Sequence, residues 1–362
     1  MTTLVLHIGS PKTGSSAIQA SLPPRPPRWR TAGWSIPPAN PYRCSEPAGC
    51  IVTLYRSADK LPRVWRQRFV DNPYKFASDV ARFRSLLQQS VHPPLRRSPA
   101  AVFLSSEYLW SLPLQSVQEL RTDFVNLGIT NFLVVAYVRS PEAFYCSVFQ
   151  QHARLSSSFR FFRPHRWRYR FRERLEAWQQ VFGGDLVVRP FDRTQLAHAC
   201  VVHDLAATVQ SRLPSLPPLV PVPLAQSANR SVSLEELLVM QQWMRQHPAA
   251  TPAGGLLRSR ALWRQWARLS KIMGGQTGTR LVLRAEVVEQ IQVRHSSDLD
   301  WLQDHFRIDF RDSLAPKGVP ASQAHREWPL DMRIEDLFEP AHDHLLRERL
   351  AQSLSGRSLP TA

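Results

Sequence analysis

The stretch Thr3-Leu4-Val5-Leu6-His7-Ile8-Gly9-Ser10-Pro11-Lys12-Thr13-Gly14-Ser15-Ser16-Ala17-Ile18-Gln19 opens the chain and decides its fold class. Leu4 to Ile8 has the length and continuous apolar character of a strand buried on both faces. Gly9 and Gly14 then bracket a short polar loop, and a helix is predicted from Ser15 to Leu22. A strand, a Gly-containing turn and a helix in direct succession make a phosphate cradle. Glycine allows close approach of the backbone, and the first N–H groups and positive dipole end of a helix face an anion. Ser15 and Ser16 add hydroxyl donors.

The strand-helix alternation continues outward from this loop. Ala101 to Leu104, Phe132 to Val138 and Leu186 to Val188 read as further buried strands. Val117 to Leu127, Pro141 to Leu155 and Thr194 to Val209 read as helices. The pattern predicts an α/β fold with a central parallel sheet flanked by helices. Ser233 with Glu236 three residues later makes a capping box that starts another helix, and Leu257 to Phe310 reads as mostly helical. Residues 23–50 form a Pro-rich irregular excursion. Shorter Pro-rich breaks at His92 to Pro99, Ser211 to Pro223 and Pro248 to Gly255 punctuate the chain without dividing it. The expected organisation is one domain over 1–330, with insertions near 23–99 and 245–280, and a C-terminal tail over 331–362.

The 362 residues are 43% apolar and 21% charged, as in a globular protein. No apolar run approaches the roughly 20 residues of a membrane-spanning helix. The N-terminal strand lacks the length and basic flank of a signal peptide, so the expected location is the cytoplasm. Cys44, Cys50, Cys146 and Cys200 form no Cys-x-x-Cys pair and have no zinc-finger spacing, which points to reduced thiols; Cys44 and Cys50 are close enough in sequence to bridge. The net charge of +17 suggests a polyanionic partner: nucleic acid, anionic glycan or a membrane surface. Only five of the 46 basic residues are lysines, and there are 30 prolines. A GC-rich coding sequence produces the same bias, so both explanations stand.

The loop is not a standard Walker A. The spacing from Gly9 to Gly14 fits, but position 15 is Ser where Lys is required. The loop's lysine is Lys12. A second anchor follows the third strand, Phe132-Leu133-Val134-Val135-Ala136-Tyr137-Val138-Arg139. Arg139 emerges at the carboxyl end of a strand, where open α/β sheets bind ligands. Ser140-Pro141 opens a helix, and Ser147 lies about two turns into it, within reach of the same phosphate. At the end of the second strand, Ser105-Ser106-Glu107 puts a carboxylate at that same edge.

Together these residues resemble the bacterial sulfotransferases that use 3′-phosphoadenosine-5′-phosphosulfate (PAPS). Their 5′-phosphosulfate loop reads Pro-Lys-Thr-Gly-Ser/Thr-Ser/Thr directly after the first strand; here it is Pro11-Lys12-Thr13-Gly14-Ser15-Ser16. Their 3′-phosphate motif is a strand ending in Arg, then Ser-Pro, then Ser on the next helix. The likeness covers about residues 3–22 and 100–240. It implies a P-loop-like three-layer sandwich, PAPS as donor and no metal. Arg139 and Ser147 would grip the 3′-phosphate, Glu107 would be the base that takes the acceptor's proton, and Lys12 would meet the charge that develops on the leaving oxygen. The implied partner is an acceptor hydroxyl or amine on a glycan, a glycolipid or a small molecule, with peripheral membrane contact and no specific nucleic acid. His7 and His152 are rival bases; His7 reads better as a packed or hydrogen-bonded strand residue. An ATP-dependent phosphotransferase of the P-loop class and a non-enzymatic polyanion-binding protein are the alternative functions.

Between Phe159 and Arg174 seven arginines interleave with aromatics. Such a segment suits a nucleic-acid strand, an anionic glycan or the adenine pocket; it equally suits a surface helix with its aromatics inward. Arg163, Arg166 and Arg168 are expected to face the acceptor. Leu186 to Arg193 supports the fold. Asn229-Arg230-Ser231-Val232-Ser233 recurs in similar proteins and leads into the capped helix.

Overall fold

The computed structural model describes residues 2–21, 33–37, 49–93, 98–220, 231–248, 260–273, 278–311, 327–340 and 344–354. Leu22, most of the Pro-rich excursion with Cys44, Pro221 to Pro223, Asn229-Arg230, the break over 249–255 and the end of the tail lie outside the described residues. The chain forms two compact units. One comprises Met1–Arg139, Arg170–Ser227 and Trp301–Ile308; the other comprises Ser140–Tyr169, Ala228–Asp300 and Asp309–Ala362.

The first unit is built on a five-stranded sheet. Its strands are β1 (Thr3–His7), β2 (Trp34–Ser35), β3 (Ala101–Ser105), β4 (Asn131–Val138) and β5 (Leu186–Pro190), in the order β2-β3-β1-β4-β5. Every pairing is parallel, and β1 lies at the centre with Val5 between Phe103 and Leu133. All five residues of β1 are buried, which is why Leu4 to Leu6 run apolar without alternation.

Helices cover both faces. On one, α1 (Ser15–Ser21) and, later in the chain, the helix Val201–Arg212 bring Ile18, Val202 and Leu205 onto Val5, Phe103 and Val135. Between them in sequence come α2 (Arg63–Asp71), α3 (Pro73–Val91) and α4 (Leu114–Asn126). The opposite face carries α4 and the helix Phe171–Phe182. Arg121 of α4 stacks on Phe132 of β4, and Phe132 meets Phe182 with ring centroids 5.4 Å apart.

The second unit contains α5 (Pro141–Ala153), which precedes α6 (Phe171–Phe182) and α7 (Val201–Arg212) of the first unit in the chain. It also contains α8 (Leu234–Gln246), α9 (Arg260–Met273), most of α10 (Ala285–Phe306), α11 (Ile334–Leu337) and α12 (His344–Leu354). The capping box at α8 forms as expected. Ser233 Oγ accepts from the Glu236 N–H, and Glu236 Oε2 accepts from the Ser233 N–H at 2.9 Å. Two helices occupy most of Leu257 to Phe310, also as expected. Part of the segment read as a tail is folded: Leu346 and Leu350 of α12 are buried.

The structure departs from the sequence reading at three places. The helix read from Thr194 begins only at Val201. Asp192 Oδ1 binds both the N–H and the hydroxyl of Thr194, and His198 and Ala199 take φ values of 53° and 52°, which no right-handed helix accommodates. Strand β2 was not foreseen. Two residues carry no periodicity, and Trp34 is held by its pairing with Ala101 and by an indole N–H bond to the Pro217 carbonyl. Finally, Phe159 to Arg174 is not one surface helix. A 3₁₀ turn at Arg160–Phe162 leads into a stretch where exposed Arg166, Arg168 and Arg170 alternate with buried Trp167, Tyr169 and Phe171. That is the two-residue period of extended chain.

Candidate functional site

Within the first unit, the loop from Gly9 to Gly14 crosses from β1 to α1. Its backbone turns through positive φ at Gly9 (28°), Lys12 (65°) and Gly14 (82°). Thr13 Oγ1 donates to the Ser10 carbonyl at 2.6 Å, and Gly14 C=O accepts the N–H groups of Ala17 and Ile18 to start the helix. Both glycines are demanded by space. A Cβ at Gly9 would lie 2.5 Å from Ser15 Oγ, and one at Gly14 would lie 2.7 Å from Val201 Cγ1 and 3.1 Å from the Phe191 ring. Gly14→Ala is therefore expected to cost about 2 kcal/mol or more through strain and overlap. Gly128→Ala is the control: Gly128 has φ 78° but nothing within 4 Å of its would-be Cβ. Equal shifts of the two denaturation midpoints would contradict the packing argument.

Ser10, Thr13 and Ser15 are buried in the loop, Pro11, Lys12 and Gly14 are half-buried, and Ser16 is exposed. Ser15 Oγ is buried and has no hydrogen-bond partner among the described residues. Native folds seldom leave a buried hydroxyl unpaired.

Two other strand ends meet this loop. Arg139, at the end of β4, donates from Nη1 to the Lys12 carbonyl at 3.4 Å, and its guanidinium stacks 5.3 Å from the centre of the Phe191 ring. Glu107 follows β3. Ser106 N–H donates to the His7 carbonyl, which ties the ends of β3 and β1 together. The cap of the following 3₁₀ turn is Ser106, whose Oγ accepts from the Tyr108 N–H, and Glu107 makes no contact ion pair among the described residues. Burial pushes the Glu107 carboxyl above its ordinary value, and the charge of Lys12 acts in the opposite direction. Lys12, Glu107 and Arg139 thus converge at the carboxyl edge of β1, β3 and β4. Ser147 lies half-buried on α5, in the second unit; Ser140 caps that helix by accepting from the Ala143 N–H.

The two histidines weighed as rival bases, His7 and His152, are both held by packing and hydrogen bonds. His7 is fully buried, its Nδ1 is 2.8 Å from Ser105 Oγ, and burial holds its pKa down to about 3. It is neutral at any physiological pH. His152 bonds through Nε2 to the Ser158 carbonyl and packs on Phe159 and Phe162.

Sequence reasoning missed Phe191, which both supports Arg139 and walls Gly14. Its only signal was an aromatic just past a strand end, and its role depends on β5 lying beside β4. It also missed Ser105, the partner of His7, which faces it across the β1–β3 register. The search of protein-family profiles finds no match for this chain, and the search of curated proteins finds none either.

Proposed function

We propose that the chain is a sulfotransferase that takes PAPS as donor and a hydroxyl or amine as acceptor, in a P-loop-like sandwich. The observation that carries this reading is the convergence of Lys12, Glu107 and Arg139 on one glycine-walled loop. The loop suits a phosphate-bearing end of the donor. A side chain at Gly9 would collide with Ser15 and His7, and one at Gly14 with Val201 and Phe191, so glycine is what keeps the loop's shape, and Ser15 offers a buried hydroxyl with no hydrogen-bond partner among the described residues. Pro11 to Ser16 would hold the 5′ end. Arg139, with the bidentate donors of a guanidinium, is assigned to the 3′-phosphate.

The donor supplies an activated sulfuryl group and a nucleotide as leaving group. Glu107 takes the proton of the acceptor hydroxyl or amine as that atom bonds to sulfur. Lys12 stabilises the negative charge that grows on the departing oxygen, which favours the transition state over the ground state. Phe191 keeps Arg139 in place beneath the loop.

Thermal shift with 3′-phosphoadenosine 5′-phosphate, ATP and heparin tests the reading. The first should stabilise the chain by about 2.7 kcal/mol at a hundredfold excess over its dissociation constant, and Arg139→Ala should abolish the gain. Stabilisation by ATP alone would favour a phosphotransferase, and stabilisation by heparin alone a polyanion-binding protein. Incubation with ³⁵S-labelled donor and cell extract would then identify the acceptor.

A further inference from the structure

The proposed donor site leaves the most basic part of the second unit unused. Helix α9 carries Arg264, Arg268 and Lys271 and no acidic residue. At about 100° per residue these three cations fall within a stripe of about 60°. Opposite them lie Leu262, Trp266, Leu269 and Met273, all buried. Trp266 fixes the inner face: its indole N–H donates to the Arg154 carbonyl at 2.9 Å, and the Arg154 guanidinium stacks 5.3 Å from its ring centre. The helix is thus held by its apolar side and turns its cations outward. All three are exposed, and none has an ion pair among the described residues. Trp263, on the flank of the basic stripe, is 41% exposed.

A second basic element starts from the same end of α5. No acidic residue occurs between Glu142 and Glu173. In this span Phe161 is 67% exposed, with the Arg160 guanidinium 4.7 Å from its ring centre. Arg160, Arg166 and Arg168 are exposed, whereas Phe159, Phe162, Trp167 and Tyr169 are buried. The C-terminal end of α5 and its cap Arg154 anchor both elements: His152 packs on Phe159 and Phe162, and Arg154 on Trp266.

We propose that this end of the second unit docks on an anionic lipid bilayer. The cations of α9 and of the Arg160 to Arg168 segment meet headgroup phosphates, and Phe161 and Trp263 enter the interfacial layer that aromatic rings favour. Single-stranded nucleic acid is the poorer match. It calls for rings on which successive bases stack, and four rings of the segment are buried in the core. A soluble polyanion uses the charges but gains nothing from an exposed Phe161.

Co-sedimentation of the full chain with phosphatidylcholine vesicles, with and without phosphatidylglycerol, tests the proposal. Binding is expected only to the anionic vesicles and is expected to weaken with salt. Each basic residue at such a surface is worth about a fivefold change in partition, so the triple variant Arg264→Gln, Arg268→Gln, Lys271→Gln should lose on the order of a hundredfold. Phe161→Ser with Trp263→Ser should weaken binding further without changing the salt dependence. Brominated lipid should quench the wild-type fluorescence more than that of Trp263→Phe. These side chains are exposed, so the variants should melt as the wild type does. Unchanged binding by the triple variant, or equal binding to neutral vesicles, would overturn the proposal. So would tighter binding to heparin or single-stranded RNA that ignores the aromatic pair. Binding is read without turnover, so these outcomes leave the donor-site reading untouched.

Discussion

Under the proposed sulfotransferase reading, with Glu107 as its base, Glu107→Gln is expected to lower the turnover of sulfuryl transfer by about 10²- to 10⁴-fold while the nucleotide product still binds, because a general base contributes to the chemical step and not to donor affinity. The pH dependence gives a second, independent check. The base acts only when ionised, so kcat/KM falls as pH drops through its pKa. Burial raises that pKa above the ordinary 4.5, and Lys12 opposes the rise. The acid limb should therefore lie above the ordinary value of a glutamate. Lys12→Met removes the opposing charge, so it should move the limb further up as well as slow turnover. A Glu107→Gln enzyme with near wild-type turnover would remove Glu107 from the mechanism. An unmoved acid limb in Lys12→Met would show that the two side chains are not coupled.

Asp204→Ala should cost about 3 kcal/mol of stability, read as a lower denaturant midpoint at neutral pH. The carboxylate is buried on α7. It accepts from Arg189 Nε at 3.1 Å and Nη2 at 2.7 Å, from the Tyr137 hydroxyl at 2.9 Å and from the Ala197 N–H at 3.0 Å. Removal would leave the guanidinium with the Gln195 carbonyl and the tyrosine hydroxyl with Thr208 as their remaining partners. The Arg189 side chain is 35% exposed and reaches water, which places the cost at the low end for a broken buried pair. Burial by itself pushes the Asp204 carboxyl up, but the bonds from Arg189, Ala197 and Tyr137 outweigh it and hold the group below its ordinary value of 3.8. The stabilisation is thus complete above that value and is lost as pH falls through the lower, folded-state pKa. A variant as stable as the wild type at pH 7 would show that the network contributes nothing net.

How much was legible from sequence follows from the range of each signal. Four of the five strands were found within two residues of their ends: β1, β3 and β4 because strands buried on both faces run apolar, and β5 from the apolar Leu186 to Val188 at its start. The capping box at Ser233 was legible because both partners lie within one turn. The helix before Val201 was misplaced because the apolar pattern says nothing of the Asx turn at Asp192 or of the left-handed residues at 198 and 199. In the Arg-aromatic segment every aromatic except Phe161 is buried, and from Trp167 to Phe171 alternation rather than helical spacing puts them there; Pro164 and the Trp167-Arg168-Tyr169-Arg170-Phe171 order carried that information.

By itself the sequence determined the class of the fold, the place of the loop between β1 and α1, and the chemical groups at three strand ends. Those follow from apolar periodicity, glycine spacing and the rule that parallel strands present their carboxyl ends on one edge. Only the tertiary structure decided which groups meet. The sheet order puts β1 between β3 and β4, so Glu107 and Arg139 approach Lys12 from either side, and β5 beside β4 brings Phe191 beneath Arg139. Strand order is set by long-range packing of helices on the two faces, and no local pattern in the chain encodes it.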